Sequence, residues 1–584
     1  MSSEALLELA RERFRDDWTD ADETLFRQTA KGKIAAYGKG DPADADKWAK
    51  DRVLRADRIE WLCTDRDAVK EVTRKGVRIK GARIEGHVDL SYVKIEFPLW
   101  IVNSAVQRGF TMQRCHLRTL LLNGTHTGPI VADGLRVEHD VFMRDGFQST
   151  GEVRLLSAKI SGTLDCRKGQ FSNPDGKALN ADRVDVKGTV CLTDGFQAMG
   201  EVRLLGATIG RSLDCVKGHF SNPDGKALSA DGIEVKGDVF LRDEFQATGE
   251  VRLLGATIGG VLACAKGRFS NPDGKALSAD GVQVDGSVFL NDGFQATGEV
   301  RLLGATIGRN LECDNGCFSN PNGKALTAAG VEVKGSVFLR QQFRAEGKVD
   351  FIGASVNGSF LWLMLECAER CTLRLESAKI GTLWDEEASW PAKLYLDGLV
   401  YDRLHNDAPL SSEARLRWFR RQGYDRDRFV PQPYVQLAKV LQEMGHEADA
   451  RRILIAKQKD PARVKSLSIP GRVWHHLLGS TFGYGYRPWL ALLVAWLLYI
   501  ALGTGLFQIG IDKALFAETE AGTVPAFNAL VYSLDAFVSL VDFHQAKYRL
   551  PTGWFLRGYL WIHIGLGWFL TTLLVVGLAG LVRR

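Results

Sequence analysis

The 584-residue sequence predicts a mainly β protein built on a parallel β-helix, a β-solenoid with coils of about 24–25 residues. Three observations carry this. GEVRLLSAKISGTLDC begins at Gly151, and related stretches follow at Gly200, Gly249, Gly298 and, decayed, Gly347, a period of 49 residues without a slip. Each repeat then divides into two similar halves, 200–224 and 225–248, both opening on Gly, then placing a Gly within a run bounded by aliphatic residues (Ile209 to Leu213; Val235 to Val239) and then a Phe (Phe220, Phe245). Finally, apolar and polar residues alternate over four or five positions and are cut by Gly, Asp and Asn-Pro, which is the signature of short half-buried strands. Helical repeats need longer units and helix formers. The L-x-x-L-x-L pattern of leucine-rich repeats is absent.

Composition agrees. Gly is high at 61 residues, but only 16 Pro accompany it and no Gly-X-Y period exists, which excludes collagen and disordered Pro/Gly tracts. The net charge of +5 is too balanced to predict a nucleic-acid partner.

Residues 1–75 read as a helical N-terminal cap, with Trp48, Leu54, Ile59, Trp61 and Leu62 at helical spacing. A solenoid end exposes strand edges and needs such a cover. Residues 76–404 are the β-helix, about 13 coils at about 4.8 Å each. Stacking predicts columns of equivalent residues: Cys166, Cys215, Cys264 and Cys313 in one, and Phe171, Phe220, Phe269 and Phe318 in another. Phe196, Phe245, Phe294 and Phe343 make a third. Cysteines 49 residues apart lie two coils apart, beyond disulfide reach, and no zinc-ligand spacing occurs. All ten are expected as free thiols. Glu152, Glu201, Glu250 and Glu299 stand two before Arg154, Arg203, Arg252 and Arg301, so an outward Glu–Arg ladder is expected.

Residues 405–476 read as a helical neck and a basic juxtamembrane segment, in which Tyr434, Leu437, Leu441 and Ile453 mark an antiparallel helical pair. Residues 477–584 form a membrane domain. Segments 488–511 and 558–582 lack Asp, Glu, Lys and Arg and are long enough to span a bilayer. Residues 411–476 hold 14 Lys+Arg against 7 Asp+Glu, whereas 512–553 hold 3 against 5. Basic flanks stay cytoplasmic, so both termini are expected inside. Between the spans, 525–542 reads as a re-entrant or interfacial helix carrying Ser533, Asp535, Ser539 and Asp542. Span, short helix, span is similar to the layout of pore-loop cation channels, although the T-V-G-Y-G filter is missing, and polar groups at membrane depth line wet cavities.

GVRIKGARIEGHVDLSYVKIEFPLWI (76–101), the GEVRLLGATIG and FSNPDGKAL coils, PYVQLAKVLQEMGHEADARRILIAKQ and the tail ending GWFLTTLLVVGLAGLVRR together resemble one bacterial family. Its members are inner-membrane proteins with a pentapeptide-like β-helix and a two-helix membrane tail, often labelled membrane-associated oxidoreductases. The resemblance implies a multi-pass protein of the bacterial inner membrane. No dinucleotide or haem motif supports the label here: Gly503-Thr-Gly505 lies inside a span, and His563 is the one His within either span. No catalytic residue, metal ligand or cofactor is therefore expected. The expected function is a membrane-anchored cytoplasmic scaffold or sensor gating an oligomeric pore. The alternative is an oxidoreductase with an unrecognised cofactor. Expected partners are the lipid bilayer, further copies of the chain, and a cytoplasmic protein or ligand on the β-helix, with no nucleic acid.

Overall fold

In the computed structural model, which describes residues 4–424, 429–460, 488–519, 526–538 and 541–582, the chain forms two units, Met1–Gly423 and Tyr424–Arg584. The first is a parallel β-solenoid of about 14 turns with helices at its N-terminal end. Its strands belong to two long sheets of 27 and 19 strands, and every pairing within them is parallel. Hydrogen bonds therefore run from coil to coil, and each coil has little stability without its neighbours.

Between Leu164 and Val337 the coils alternate in length. Leu213 pairs with Val239, 26 residues on, and Val239 with Leu262, 23 residues on. The difference arises in the long strands Gln170–Asn180, His219–Ser229, Arg268–Ser278 and Cys317–Thr327, where the register slips across the Asn-Pro-Asp-Gly (in the last, Asn-Pro-Asn-Gly) segment. This bulge is fixed by its own Asn, whose side-chain amide donates to the carbonyl four residues on, as Asn222 does to Lys226 at 2.9 Å. From Gly200 onward, the Gly that opens each repeat lies directly against the bulge of the coil before it. A Cβ on Gly249, held at φ +109°, would sit 2.2 Å from the Asn222 carbonyl oxygen. GEVR and SNPDG thus recur together because one is shaped to the other.

Inside, Leu213, Cys215, Val239, Leu241 and the Phe residues are buried. The two expected Phe columns are in fact one. Successive rings from Phe147 to Phe343 lie 5.1–5.4 Å apart, each tilted against the next. The backbone register aligns Phe220 with Ala247, yet Phe245, at the preceding corner, turns its ring into the same stack. Cys166, Cys215, Cys264 and Cys313 are buried with free thiols, as all ten cysteines are free. Burial pushes these thiols well above their ordinary range.

The outward ladder is real, but its pairing differs from the i,i+2 expectation. Arg203 reaches back one coil to Asp182 at 2.7 Å and stands 3.9 Å from Glu201. Arg252–Asp231 and Arg301–Asp280 repeat this at 2.6 and 2.8 Å. The Glu instead reaches forward one coil, accepting from Ser278 at Glu250 (2.6 Å). Two guanidinium N–H groups of Arg203 converge on Asp182 Oδ2, while Oδ1 accepts the Leu205 backbone N–H at 3.0 Å, so the Asp ties side chain and backbone of the next coil together.

The solenoid starts earlier than residue 76. Ala35–Ala36 pairs with Ile79–Lys80, and Val53–Arg55 with Arg83–Glu85. Helices α1 (Ala5–Arg13), α2 (Asp20–Ala30), α3 (Ala56–Thr64) and α4 (Arg66–Glu71) surround these first strands. Arg58 of α3 is fully buried, with Asp17 at 2.7 Å, Asp57 at 3.0 Å and Asp22 at 3.2 Å, and stacks on Phe14. Asp17, drawn by Arg58, is held below the ordinary carboxylate range.

The far end has a similar clamp. Helix α5 (Ser412–Phe419), expected in the neck, belongs to the first unit. Its buried Arg415 makes a two-pronged bond to Asp385 at 2.8 and 2.8 Å, and Trp390 also donates to Asp385 at 2.7 Å. In the second unit, α6 (Gln432–Glu443) and α7 (Glu447–Lys459) pack together through Leu437, Leu441 and Ile453. The basic segment 461–476 lies outside the described residues.

Two stability outcomes follow from this geometry. Gly249→Ala should destabilise by roughly 2–4 kcal/mol, because the added methyl meets backbone at a positive φ, whereas Gly255→Ala, at φ +60° with open space around it, should cost about 1 kcal/mol. Urea midpoints of the two variants check the order. Arg415→Met should cost about 3–5 kcal/mol by stranding Asp385, and Arg415→Met/Asp385→Leu should recover part of it. Equal losses in the single and double variants would refute the clamp.

Candidate functional site in the apolar C-terminal helices

Helices α8 (Pro488–Asp512) and α10 (Trp554–Val582) are long and apolar enough to cross a membrane, with mean hydropathy of 2.0 over Leu492–Asp512 and 1.7 over Trp554–Val576. Both carry large exposed apolar side chains, among them Leu498, Leu502, Trp561 and Phe569. The segment expected at 525–542 supplies one nine-residue helix, α9 (Ala529–Phe537), capped by Asn528. At about 1.5 Å per residue it is far too short to span. It packs against both α8 and α10.

Two glycines permit this close packing. A Cβ on Gly503 of α8 would lie 2.5 Å from both His563 Cε1 and Ser533 Oγ, and one on Gly567 of α10 would lie 2.2 Å from the Phe537 carbonyl oxygen. Phe507, Tyr532, Ala536, Leu556 and Leu560 fill the core between the helices. Phe516–Glu518 pairs antiparallel with Arg549–Pro551 at the loop end, and Tyr532 donates its hydroxyl to the Arg549 carbonyl at 2.9 Å.

Polar groups meet at the α8–α9–α10 crossing. Ser533 and His563 are fully buried. Ser533 Oγ donates to the Ile500 carbonyl at 3.0 Å, so its single proton is committed there. His563 Nε2 lies 3.1 Å from Ser533 Oγ and 3.2 Å from the Ser533 carbonyl, and must be the donor to both. Nδ1 lies 3.3 Å from the Tyr559 hydroxyl. The Ser533 carbonyl can only accept, so Nε2 carries a proton. Tyr499 stacks on the ring at 5.4 Å and 18°, with Phe507 and Phe537 beside it. A Ser–His pair suggests nucleophilic catalysis. Here the serine proton points away from the imidazole and the hydroxyl is sealed by aromatics, so the arrangement fixes three helices and does not attack a substrate.

The four residues singled out in the sequence occupy different surroundings. Ser533 joins the buried cluster. Asp535 accepts three backbone N–H bonds from the returning loop, Phe543 at 2.7 Å on Oδ1, and Gln545 at 2.8 Å and Ala546 at 2.7 Å on Oδ2. Asp542 is exposed and pairs with His544 at 2.6 Å. Ser539 lies outside the described residues. Sequence reading did not bring His563, Tyr559 and Gly503 together. The available signals were the i,i+4 spacing of Tyr559 and His563 and a Gly in an apolar helix. Among the described residues, no group of three or more His, Cys, Asp or Glu is placed to hold a metal ion.

The close approach at Gly503 gives a direct test. Gly503→Ala should loosen the three-helix packing and lower the melting temperature of the detergent-solubilised protein. Gly505→Ala, with nothing near its Cβ, should leave it unchanged. Equal melting temperatures would show that the crossing is not tightly packed. Compared with known proteins, the chain matches no protein-family model, no curated protein and no solved structure.

Proposed function

We propose that the protein is a membrane-anchored β-solenoid scaffold, held in the bacterial inner membrane by α8 and α10 with both termini in the cytoplasm. The carrying observation is the C-terminal helix set: two helices of spanning length with large exposed apolar side chains, tied together by a buried polar crossing. Such a surface is stable in lipid and unstable in water. The basic excess before α8 supports the orientation. A solenoid offers long, repeated outer faces to partners, which suits assembly or sensing better than turnover of a small substrate.

The pore reading is weaker. α9 has the position of a pore-loop helix, and two spans per chain require several copies around any channel. Asp535, however, has both carboxylate oxygens engaged by backbone N–H groups, which favours a role in shaping the loop over one in selecting ions. No specific observation favours the oxidoreductase alternative.

Membrane fractionation tests the anchor. The full chain should remain in the membrane pellet after alkaline carbonate, and a chain ending at Gly423 should be released. Extraction of the full chain by carbonate would overturn the proposal. Reconstituted in liposomes, the protein should show no cation flux that falls on Asp535→Asn. Such flux would restore the pore.

A further inference from the structure

One face of the solenoid differs from the rest. In the 19-stranded sheet, the outward residue opening each strand is an amide in five of eight successive rows: Gln148, Gln170, Gln197, Gln246 and Gln295. Two positions further on, the outward residue is a hydroxyl in seven of the eight rows, as at Thr150, Ser172, Ser221, Thr248, Ser270, Thr297 and Ser319, with the exposed Met199 in the remaining row. The residue between them points inward, from Ser149 to Phe318, and is buried in every row. Within these two columns Arg268 is the one position with a formal charge over the eight rows, although a quarter of the chain (25%) is charged, and the Glu201–Arg203 ladder begins farther along the same strands. Eight rows at about 4.8 Å make a flat neutral strip of roughly 34 Å between the first and last.

The strip has a wall and a closed end. Asn-Pro-Asp/Asn-Gly bulges rise beside it on alternate coils, each locked by its Asn, as in Asn173 to the Lys177 carbonyl at 3.0 Å. At the N-terminal end, the short helix Pro42–Lys47 lies over the same two columns, and Gln107 donates to Asp46 at 2.6 Å. Beneath it is a cavity of about 290 Å³ lined by Pro42, Asp46, Gln107, His126 and the first row of the strip, Gln148 and Thr150. Burial holds His126 below its ordinary value against the opposing charge of Asp41, so the cavity keeps a neutral imidazole near pH 7.

We propose that this strip binds a linear, uncharged, hydroxyl-rich polymer of the neutral-glycan class, with one chain end seated in the cavity under the cap. The side-chain amides of Gln170, Gln197, Gln246 and Gln295 have no partner among the described residues, and each offers donors and acceptors together. Sugar hydroxyls need both. Gln197, Gln246 and Gln295 recur every two coils, about 9.6 Å, so a polymer presenting the same edge on every second unit meets the same amide each time. A charged polymer would lose hydration along the two columns, which offer it one formal charge, and the ladder farther along the strands presents both signs already paired. An extended peptide usually docks by adding a strand at a free edge, and here the backbone groups are already paired from coil to coil. The rigid floor also removes most of the ordering cost on the protein side. The site is independent of the membrane assignment.

The test is calorimetric titration of the full chain, in a detergent without a sugar headgroup, with cellohexaose, mannohexaose, xylohexaose, laminarihexaose and a hyaluronan hexasaccharide. At least one neutral probe should bind with an affinity indifferent to salt. Binding should fall about tenfold or more in Gln246→Glu/Gln295→Glu, which leaves the fold intact by circular dichroism, and in Thr150→Trp, which fills the cavity. Three outcomes would overturn the proposal: no binding by any of the four neutral probes, binding unchanged in Gln246→Glu/Gln295→Glu, or tighter binding of hyaluronan.

Discussion

Coil-to-coil hydrogen bonding governs this molecule. Because each strand pairs with the strand one coil above and one below, every coil must present its backbone at the same place, and side chains stack in columns whether or not that suits them. The columns that result are the obvious ones energetically: a continuous Phe stack and buried aliphatics within, and paired charges without. A column tolerates a residue only if its neighbours above and below tolerate it. This explains why the Arg of each repeat bonds to an Asp in the preceding coil and the Glu to a hydroxyl or amide in the next. The motif reads locally as E-V-R, but its contacts are between coils.

That distinction marks where sequence reading works and where it stops. The solenoid, its coil length and its buried Cys and Phe positions were legible because period and alternation are properties of one strand. The partner of Arg203 was not, because Asp182 lies 21 residues back in the preceding coil, and which residue of that coil faces Arg203 is set by the register between coils and not by alternation along one strand. For the same reason two Phe columns in sequence became one in space. The first strands, Ala35–Ala36 and Val53–Arg55, are too short and too deeply set among helices to show alternation.

In the C-terminal helices the limit is different. Apolar length is plain in the sequence, so both long helices were legible. A carboxylate at the end of a short apolar helix reads as exposed to a pore when only its own segment is visible. Three backbone N–H groups from a loop eight to eleven residues later give Asp535 a structural task that composition cannot reveal. His563 shows the converse. Its isolation in a span reads as unremarkable, yet helix packing makes it the joint of the whole cluster.

The bulge that lengthens alternate coils has a consequence for how such a chain changes length over generations. A single extra coil would set two bulges, or two opening glycines, on consecutive turns, and the snug seat between Gly249 and Asn222 would have no counterpart. Growth and shrinkage are therefore quantised. Within the bulged stretch, Leu164 to Val337, the admissible step is one complete pair of coils, so relatives should differ there by whole multiples of that pair, and tandem duplication of the corresponding stretch of coding sequence is the natural way to extend it.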